Sequence, residues 1–368
     1  MKPVGNPFAH LVFVTSQLGG GGAERILVTM ARWWAERGTR VSIVVLRADP
    51  PSFEYRVPEG IYIRRLGLIA ETNPVLALGH GVRLWRLRRS LQRLRPSLVI
   101  TFLDKLNVAV LLALSGSGIP VVATEHLAPW HNRLGFVWET LRRMAYPKAV
   151  AVIAPTERIS RWFQDRMRGR FETLASPAVD IERRSKAVRR EHVLLAAGRL
   201  SPQKGFDVLI EASAPILREN PNWRLHIAGE GQARAALAEQ IRQHGLESQI
   251  RLLGAIPDLD SRMARAEVFV LSSRHEAYPM VLCEALAAGC AVVATDCDTG
   301  PREILGQPPA GVLVRTADVD ALRKAMGALV ADAQARHAYR ELAFRRAPEL
   351  QARVVMPAWD ARLKALVA

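Results

Sequence analysis

Two carboxylates eight residues apart, Glu276 and Glu284, stand in the run HEAYPMVLCE at 275–284. A carboxylate can accept from two vicinal hydroxyls at once, so each is suited to gripping a sugar or a ribose. Residues 277–281 lie where a helix would start, and an opening helix leaves the backbone N–H groups of Ala277, Tyr278, Met280 and Val281 (Pro279 has none) free for a phosphate or a sugar oxygen. Glu284 has apolar neighbours (Leu282, Cys283, Ala285, Leu286), which points to a polar role inside a largely buried helix rather than to a solvated face. Arg199 and Lys204 lie in GRLSPQKGFD at 198–207. An arginine fork binds two phosphate oxygens and a lysine adds a point charge, so this pair fits a diphosphate. Gly19 to Gly22 precede AER at 23–25 and form a glycine run that lets backbone approach a ligand at a helix start. Their spacing is neither the dinucleotide G-x-G-x-x-G nor the phosphate loop G-x-x-x-x-G-K-[ST]. His126 ends the string TEH at 124–126, a position where a lone histidine is more often structural.

The elements that must carry these residues follow from the apolar pattern. Runs at 10–15, 41–46, 98–103, 121–124 and 150–154 occupy the first half, and runs at 193–197, 224–228, 250–253, 268–271, 291–295 and 311–314 the second. Most lack polar alternation, which predicts strands covered on both faces. Amphipathic stretches such as 23–37, 207–219, 232–244 and 280–289 alternate with them, the pattern of α/β layers with parallel sheets. Every singled-out motif follows such a run, at the end of the strand where open α/β sheets bind ligands. SPAVD at 176–180, followed by the basic, apolar-poor stretch 182–192, reads as an interdomain linker. Residues 333–368 are helical in character with no strand of their own.

A chain of 368 residues with 49% hydrophobic and 23% charged residues is an ordinary globular protein of two or three domains. Three cysteines, Cys283, Cys290 and Cys297, with no CxxC pair exclude a disulfide framework and point to a reducing compartment. No apolar run approaches the ~20 residues of a membrane span, and LVFV at 11–14 is too short for a signal peptide; a cytoplasmic protein is expected. The net charge is +16 and uneven: residues 1–178 hold 25 Lys and Arg against 12 Asp and Glu, residues 179–368 hold 26 against 23. The first half therefore attracts polyanions. No nucleic-acid recognition motif and no basic aromatic sheet face accompany the charge, so nucleic acid is not an expected partner.

Taken in order, GGAER (21–25), GRLSPQKGFDVLIEA (198–212), AGEG (228–231), LLGAIPD (252–258), EAYPMVLCEALAAGCAVVATD (276–296) and GPREIL (300–305) resemble the family 4 glycosyltransferases. The resemblance is collinear and covers nearly the whole chain. It implies the GT-B fold: two Rossmann-like domains facing across a cleft, residues 1–178 for the acceptor and 179–345 for the nucleotide sugar. A C-terminal helix, 346–368, would cross back to the first domain. It implies a retaining hexosyl or N-acetylhexosaminyl transfer from a nucleotide sugar, UDP-linked by family habit. No metal and no other cofactor is expected. By the same resemblance Arg199 and Lys204 would hold the diphosphate. Glu276 and residues 277–281 would contact the hexose and phosphate, and Glu284 the ribose. Ala255 and Ile256 would lie near the base, Gly21 and Gly22 would approach the diphosphate, and His126 would touch the hexose near the reacting carbon. Two D-x-D triplets, 296–298 and 318–320, read as a turn and a helix start rather than metal sites. Where the family often has Glu-Gly-Phe-Pro this chain has Glu-Ala-Tyr-Pro, and the Tyr278 hydroxyl is an expected influence on donor choice.

The string TGPREI at 299–304 resembles bacterial members that build surface polysaccharides or lipid-linked oligosaccharides, so a lipid-linked or glycan acceptor is expected. VRLWRLRRSLQRLR at 82–95 places Leu84, Leu87, Leu91 and Leu94 on one helical face for packing, with six arginines around it. Those arginines, with a second basic and aromatic run from Trp130 to Lys148, suggest a peripheral protein on the inner face of the cytoplasmic membrane, bound to anionic lipid. A sugar-nucleotide epimerase of the same architecture and a non-catalytic nucleotide-sugar binder are the alternatives.

Overall fold

The computed structural model describes residues 8–50, 54–69, 78–178 and 189–367. The chain divides into two units, residues 1–179 with 352–368, and residues 180–351. The linker expected at 176–192 falls largely at 179–188, outside the described residues.

In the first unit the strands are β1 (His10–Thr15), β2 (Arg40–Arg47), β3 (Tyr62–Ile69), β4 (Leu98–Phe102), β5 (Val121–Thr124), β6 (Ala151–Ala154) and β7 (Phe171–Thr173). All pair in parallel, in the order β3-β2-β1-β4-β5-β6-β7. The crossovers are α1 (Gly22–Ala35), α2 (Leu78–Leu94), α3 (Asp104–Ala113), α4 (Phe136–Ala145) and α5 (Glu157–Gln164). The central strands β1, β4, β5 and β6 are buried at every position, as uninterrupted apolar runs demand. The apolar pattern does not reveal β3 and β7. β3 is an edge strand that carries Arg64, Arg65 and Gly67 and leaves Tyr62 55% exposed, and β7 is an edge of three residues.

The second unit repeats the plan. β8 (Glu191–Ala197), β9 (Arg224–Ala228), β10 (Ile250–Gly254), β11 (Ala266–Leu271), β12 (Ala291–Thr295) and β13 (Val312–Val314) form a parallel sheet in the order β10-β9-β8-β11-β12-β13. Helices α6 (Phe206–Glu219), α7 (Arg234–His244), α8 (Leu259–Arg265), α9 (Met280–Ala287), α10 (Pro301–Leu305), α11 (Val319–Ala331) and α12 (Ala333–Leu350) cover it. Packing between α6, α11 and the sheet is built from Leu209, Ile210, Leu217, Val268, Leu322 and Met326. Asp332 caps α12 by accepting from the Gln334 and Ala335 N–H groups, and Arg336 and Arg340 on that helix hold Glu267 of β11.

The last helix, α13 (Ala352–Val367), belongs to the first unit. Met356, Trp359 and Leu363 recur on one face and are buried. The Trp359 indole donates to Ala175 O at 2.8 Å, Trp34 donates to Asp360 at 3.0 Å, and Arg362 forks onto Glu172. The expected start of this segment at residue 346 is corrected by the structure. Residue 346 lies inside α12, which runs on to Leu350 and stops where Gln351 turns extended (φ −72°, ψ 154°). The first expected boundary, 178, shifts by one residue.

Candidate functional site

In a doubly wound sheet the ligand crevice opens where strand order reverses, because the two crossovers leave on opposite faces there. In the second unit that point lies between β8 and β11. The loop after β8 carries Arg199 and Lys204, and the loop after β11 carries Glu276. Both therefore emerge at the carboxyl ends of the two strands that flank the switch.

The loops are laced together. Lys204 Nζ donates to Glu276 Oε1 at 2.6 Å, and the Ser273 hydroxyl donates to the same oxygen at 2.6 Å. Ser272 Oγ donates to the Lys204 carbonyl at 2.8 Å, and the Arg274 N–H to the Gln203 carbonyl at 2.8 Å. Gln203 returns a bond to the His275 carbonyl at 3.0 Å. Arg274 forks onto Asp207 at 2.8 and 2.6 Å, which holds that carboxyl below its usual range. Behind Ser273, the Thr295 hydroxyl and the Cys297 thiol both donate to its carbonyl. Burial pushes the Cys297 thiol up to about 12, so it stays protonated and donates. The side chain of Lys204 is 17% exposed and that of Glu276 7%. Arg199 is exposed and has no hydrogen-bonding or ionic partner among the described residues.

α9 begins at Met280 behind Pro279, so its first-turn N–H groups face out of the helix start. Glu284 is buried one turn further on, among Leu282, Cys283, Ala285 and Leu286. Ala277, Pro279 and Met280 are buried, Val281 is half-buried, and Ile256 is half-buried in the loop after β10. Tyr278 follows Ala277 in the same loop. It is half-buried, with Cys283, Glu303 and Arg346 near its hydroxyl, and burial raises that hydroxyl's pKa. The D-x-D residues have structural posts. Asp296 pairs with Arg302, and Asp318 caps α11 by accepting from the Ala321 N–H at 2.9 Å.

The glycine run of the first unit departs from the expected diphosphate cradle. Gly21 caps α1, but its N–H donates to the Gly19 carbonyl at 2.6 Å. The Glu24 carboxylate folds over it, 2.1 Å from where a Cβ on Gly21 would sit. A buried acid at this helix start takes the favourable end of the helix dipole that a phosphate would use. Gly22 is exposed at the first turn.

His126 is half-buried after β5 and stacked on Phe102, centroids 5.1 Å apart. Thr124 gives its one hydroxyl proton to the Thr101 carbonyl at 2.8 Å. The contact between His126 Nε2 and Thr124 Oγ1 at 3.0 Å is then a donation from the ring, which leaves Nδ1 as an acceptor. Burial lowers the His126 pKa to about 3, so the ring is neutral.

Its neighbour Glu125 was not singled out in the sequence. It is buried beside Asn107, Tyr146 and Arg142, accepts from the Tyr146 hydroxyl, and receives Asn107 Nδ2 at 3.4 Å. Burial pushes the Glu125 carboxyl up to about 7, against the pull of Arg142 and the Tyr146 bond. The only sequence signal was an acid inside a buried strand end. A raised carboxyl favours the fold below the unfolded value of 4.5, and that contribution is lost as pH rises toward 7. The shift corresponds to on the order of 3 kcal/mol over that window. Urea unfolding at pH 5 and pH 8 should therefore show wild type losing stability relative to Glu125→Gln at the higher pH. Curves that stay parallel would remove Glu125 as the cause.

Residues 20–183 match the family model described as Glycosyltransferase Family 4, and residues 179–346 match that of Glycosyl transferases group 1. A Streptomyces coelicolor protein named exopolysaccharide phosphotransferase is 31% identical over 284 residues, covering 76% of this chain but 30% of that protein, so this chain spans under a third of its length. A Campylobacter jejuni protein is 29% identical over 365 residues, covering 91% of this chain and 94% of its own. It is named an N-acetylgalactosamine-N,N'-diacetylbacillosaminyl-diphospho-undecaprenol 4-alpha-N-acetylgalactosaminyltransferase. Anabaena HepE, solved in complex with UDP and glucose, has the same fold at a TM-score of 0.78 and 18% identity, covering 97% of this chain and 99% of that one.

Proposed function

This chain belongs to the family 4 glycosyltransferases and has their GT-B fold, and from that premise we propose that it moves a hexose or N-acetylhexosamine from a UDP-sugar to a lipid-linked or polysaccharide acceptor, retaining configuration and using no metal. One observation carries the reading: the two strands at the switch point of the second sheet deliver Lys204, Arg199 and the buried Glu276 to the same sheet end. Breaking the bond between sugar C1 and the phosphate oxygen builds negative charge on the diphosphate. Lys204, Arg199 and the α9 helix start would stabilise it, which is the largest kind of term in such reactions. Glu276 would accept from sugar hydroxyls, and Glu284 from the ribose. The departing phosphate oxygen would take the acceptor's proton as the acceptor oxygen joins C1 on the same face. His126 offers a neutral acceptor nitrogen for a sugar hydroxyl. HepE was solved with UDP and glucose, and the Campylobacter relative's name gives a diphospho-undecaprenol acceptor; both support these substrate classes.

The test is transfer of labelled sugar from UDP-sugars into organic-extractable lipid in the presence of EDTA, with the anomeric coupling of the product read by NMR. An α product from an α donor, formed in EDTA, is the expected result. Loss in EDTA with recovery on adding Mn²⁺ would refute metal independence, and a β product would refute retention.

A lipid acceptor calls for a membrane-facing surface, and two helices of the first unit have the chemistry that would suit one. α3 packs between α2 and α4. On α2 the leucine face is turned in, with Leu87 and Leu91 buried, while Val82, Trp85, Arg86, Arg89 and Arg93 are exposed. On α4, Phe136 is 87% and Val137 66% exposed, with Arg143 and Met144 also exposed, and Arg133 is exposed just before the helix. Apolar tips among cations are how helices lie in a lipid interface. Arg88 is not part of this face, since it donates to the Ala113 and Ser115 carbonyls at 2.8 Å. Among the described residues no helix is long and apolar enough to cross a membrane. The enzyme is therefore placed, as a proposal, on the inner face of the cytoplasmic membrane. Changing Arg86, Arg89 and Arg93 to Glu, together with Phe136→Asp, should abolish sedimentation with vesicles rich in phosphatidylglycerol. Unchanged sedimentation would refute this surface.

A further inference from the structure

The Lys204–Glu276 pair satisfies itself within the protein. Glu276 Oε1 takes both the Lys204 ammonium and the Ser273 hydroxyl, each at 2.6 Å, and both charged side chains are mostly buried. The backbones on either side are locked by the bonds from Ser272 to the Lys204 carbonyl, from Arg274 to the Gln203 carbonyl and from Gln203 to the His275 carbonyl. The pair can therefore be exchanged by swinging two side chains, without separating the loops.

We propose that this pair is a latch by which the site favours the intact donor over its own nucleoside diphosphate product. The inference rests on the donor-site reading above. An intact nucleotide sugar brings two replacements at once. Its diphosphate takes Lys204 from Glu276, and its sugar hydroxyls donate to Glu276 in place of Lys204. Both charges stay compensated. A nucleoside diphosphate brings only the first replacement. It must compete with Glu276 for Lys204, and if it wins it leaves a buried carboxylate holding one hydroxyl, the arrangement that buried ion pairs tolerate least. Arg199, exposed and unpartnered among the described residues, is the cation either ligand can take without displacing anything. The discrimination is a difference in affinity built from a penalty on the wrong ligand. It acts when the sugar has left, and so hastens release of the product.

The latch makes an inverted prediction: removing a residue of the site tightens one ligand. Wild type, Glu276→Gln, Glu276→Ala and the double variant Glu276→Gln/Lys204→Ala are titrated calorimetrically with UDP, GDP and ADP, and thermal melting confirms that each is folded. Glu276→Gln keeps the shape and the Ser273 bond but removes the charge, and Glu276→Ala serves if it does not fold. The nucleotide that binds is expected to bind at least ~10-fold more tightly to either single variant than to wild type, with the gain lost in the double variant. Wild type binding a nucleotide that the single variants bind equally or more weakly would overturn the latch and leave the donor site standing. Binding of none of the three nucleotides to wild type or either single variant would overturn both.

Discussion

Lys204→Ala is expected to lower the transfer rate by roughly 10²–10³-fold at saturating donor, the scale measured when one preorganised donor to a developing oxyanion is removed. The side chain is positioned for that task by its own loop. Pro202 to Lys204 make one tight turn after β8, and the Ser272 hydroxyl anchors the Lys204 carbonyl. The substitution also strands Glu276, which is 7% exposed and would keep only Ser273 as a described partner. The second unit should therefore melt earlier than in wild type, by an amount set by the uncompensated buried charge. The two effects separate in the double variant with Glu276→Gln. Removing the stranded charge should restore the melting temperature without restoring the rate. A rate that recovers with stability would mean that Lys204 acts through folding and not on the leaving group.

Gly205→Ala is the second large effect, and it works through backbone alone. Gly205 links the Lys204 turn to α6 with φ +61°, and a Cβ there would sit 2.2 Å from the Ser272 carbonyl oxygen. That carbonyl belongs to the loop carrying Glu276, so an alanine must push the two loops apart. Left-handed backbone costs an alanine about 1–2 kcal/mol and overpacking about 1–3 more, so a loss of roughly 2–5 kcal/mol in unfolding free energy is expected. A displacement of the order of 1 Å between catalytic groups costs about 10²-fold in rate, so kcat/KM should fall by about that factor even at temperatures where the variant is folded. Gly245 supplies the control. It has φ +65° at the end of α7, and a Cβ there would meet nothing within 4 Å. Gly245→Ala should show the backbone cost alone, about 1–2 kcal/mol, with activity unchanged. Equal losses for the two variants would show that contact with Ser272 is not what Gly205 avoids.

The parts of this molecule that were legible in the sequence are those whose signal is local. β1, β4, β5 and the central strands β8, β11 and β12 of the second sheet carry continuous buried apolar runs because helices cover both of their faces. β3 was hidden because an edge strand exposes Tyr62 and tolerates Arg64, Arg65 and Gly67. Glu276 and Glu284 stood out because one helix start fixes their spacing. What the sequence does not contain is pairing at long range. The contact of Lys204 with Glu276 spans 72 residues, and nothing in either motif says that they neutralise each other. The glycine run looked like an anion cradle because helix starts bind anions. The anion that this one meets is Glu24, its own third helical residue. Glu125 escaped notice because a carboxylate at a strand end is ordinary until Tyr146 and Asn107 are seen to close over it.

The measurement that bears most directly on the assignment is release of nucleoside diphosphate from UDP-, GDP- and ADP-sugars, with and without a bacterial lipid extract, by wild type and by Lys204→Ala. The account predicts release from a UDP-sugar that depends on the lipid and falls by roughly 10²–10³-fold in Lys204→Ala. Conversion of a UDP-sugar into its epimer with no dependence on lipid, or lipid-dependent release that Lys204→Ala leaves intact, would contradict it.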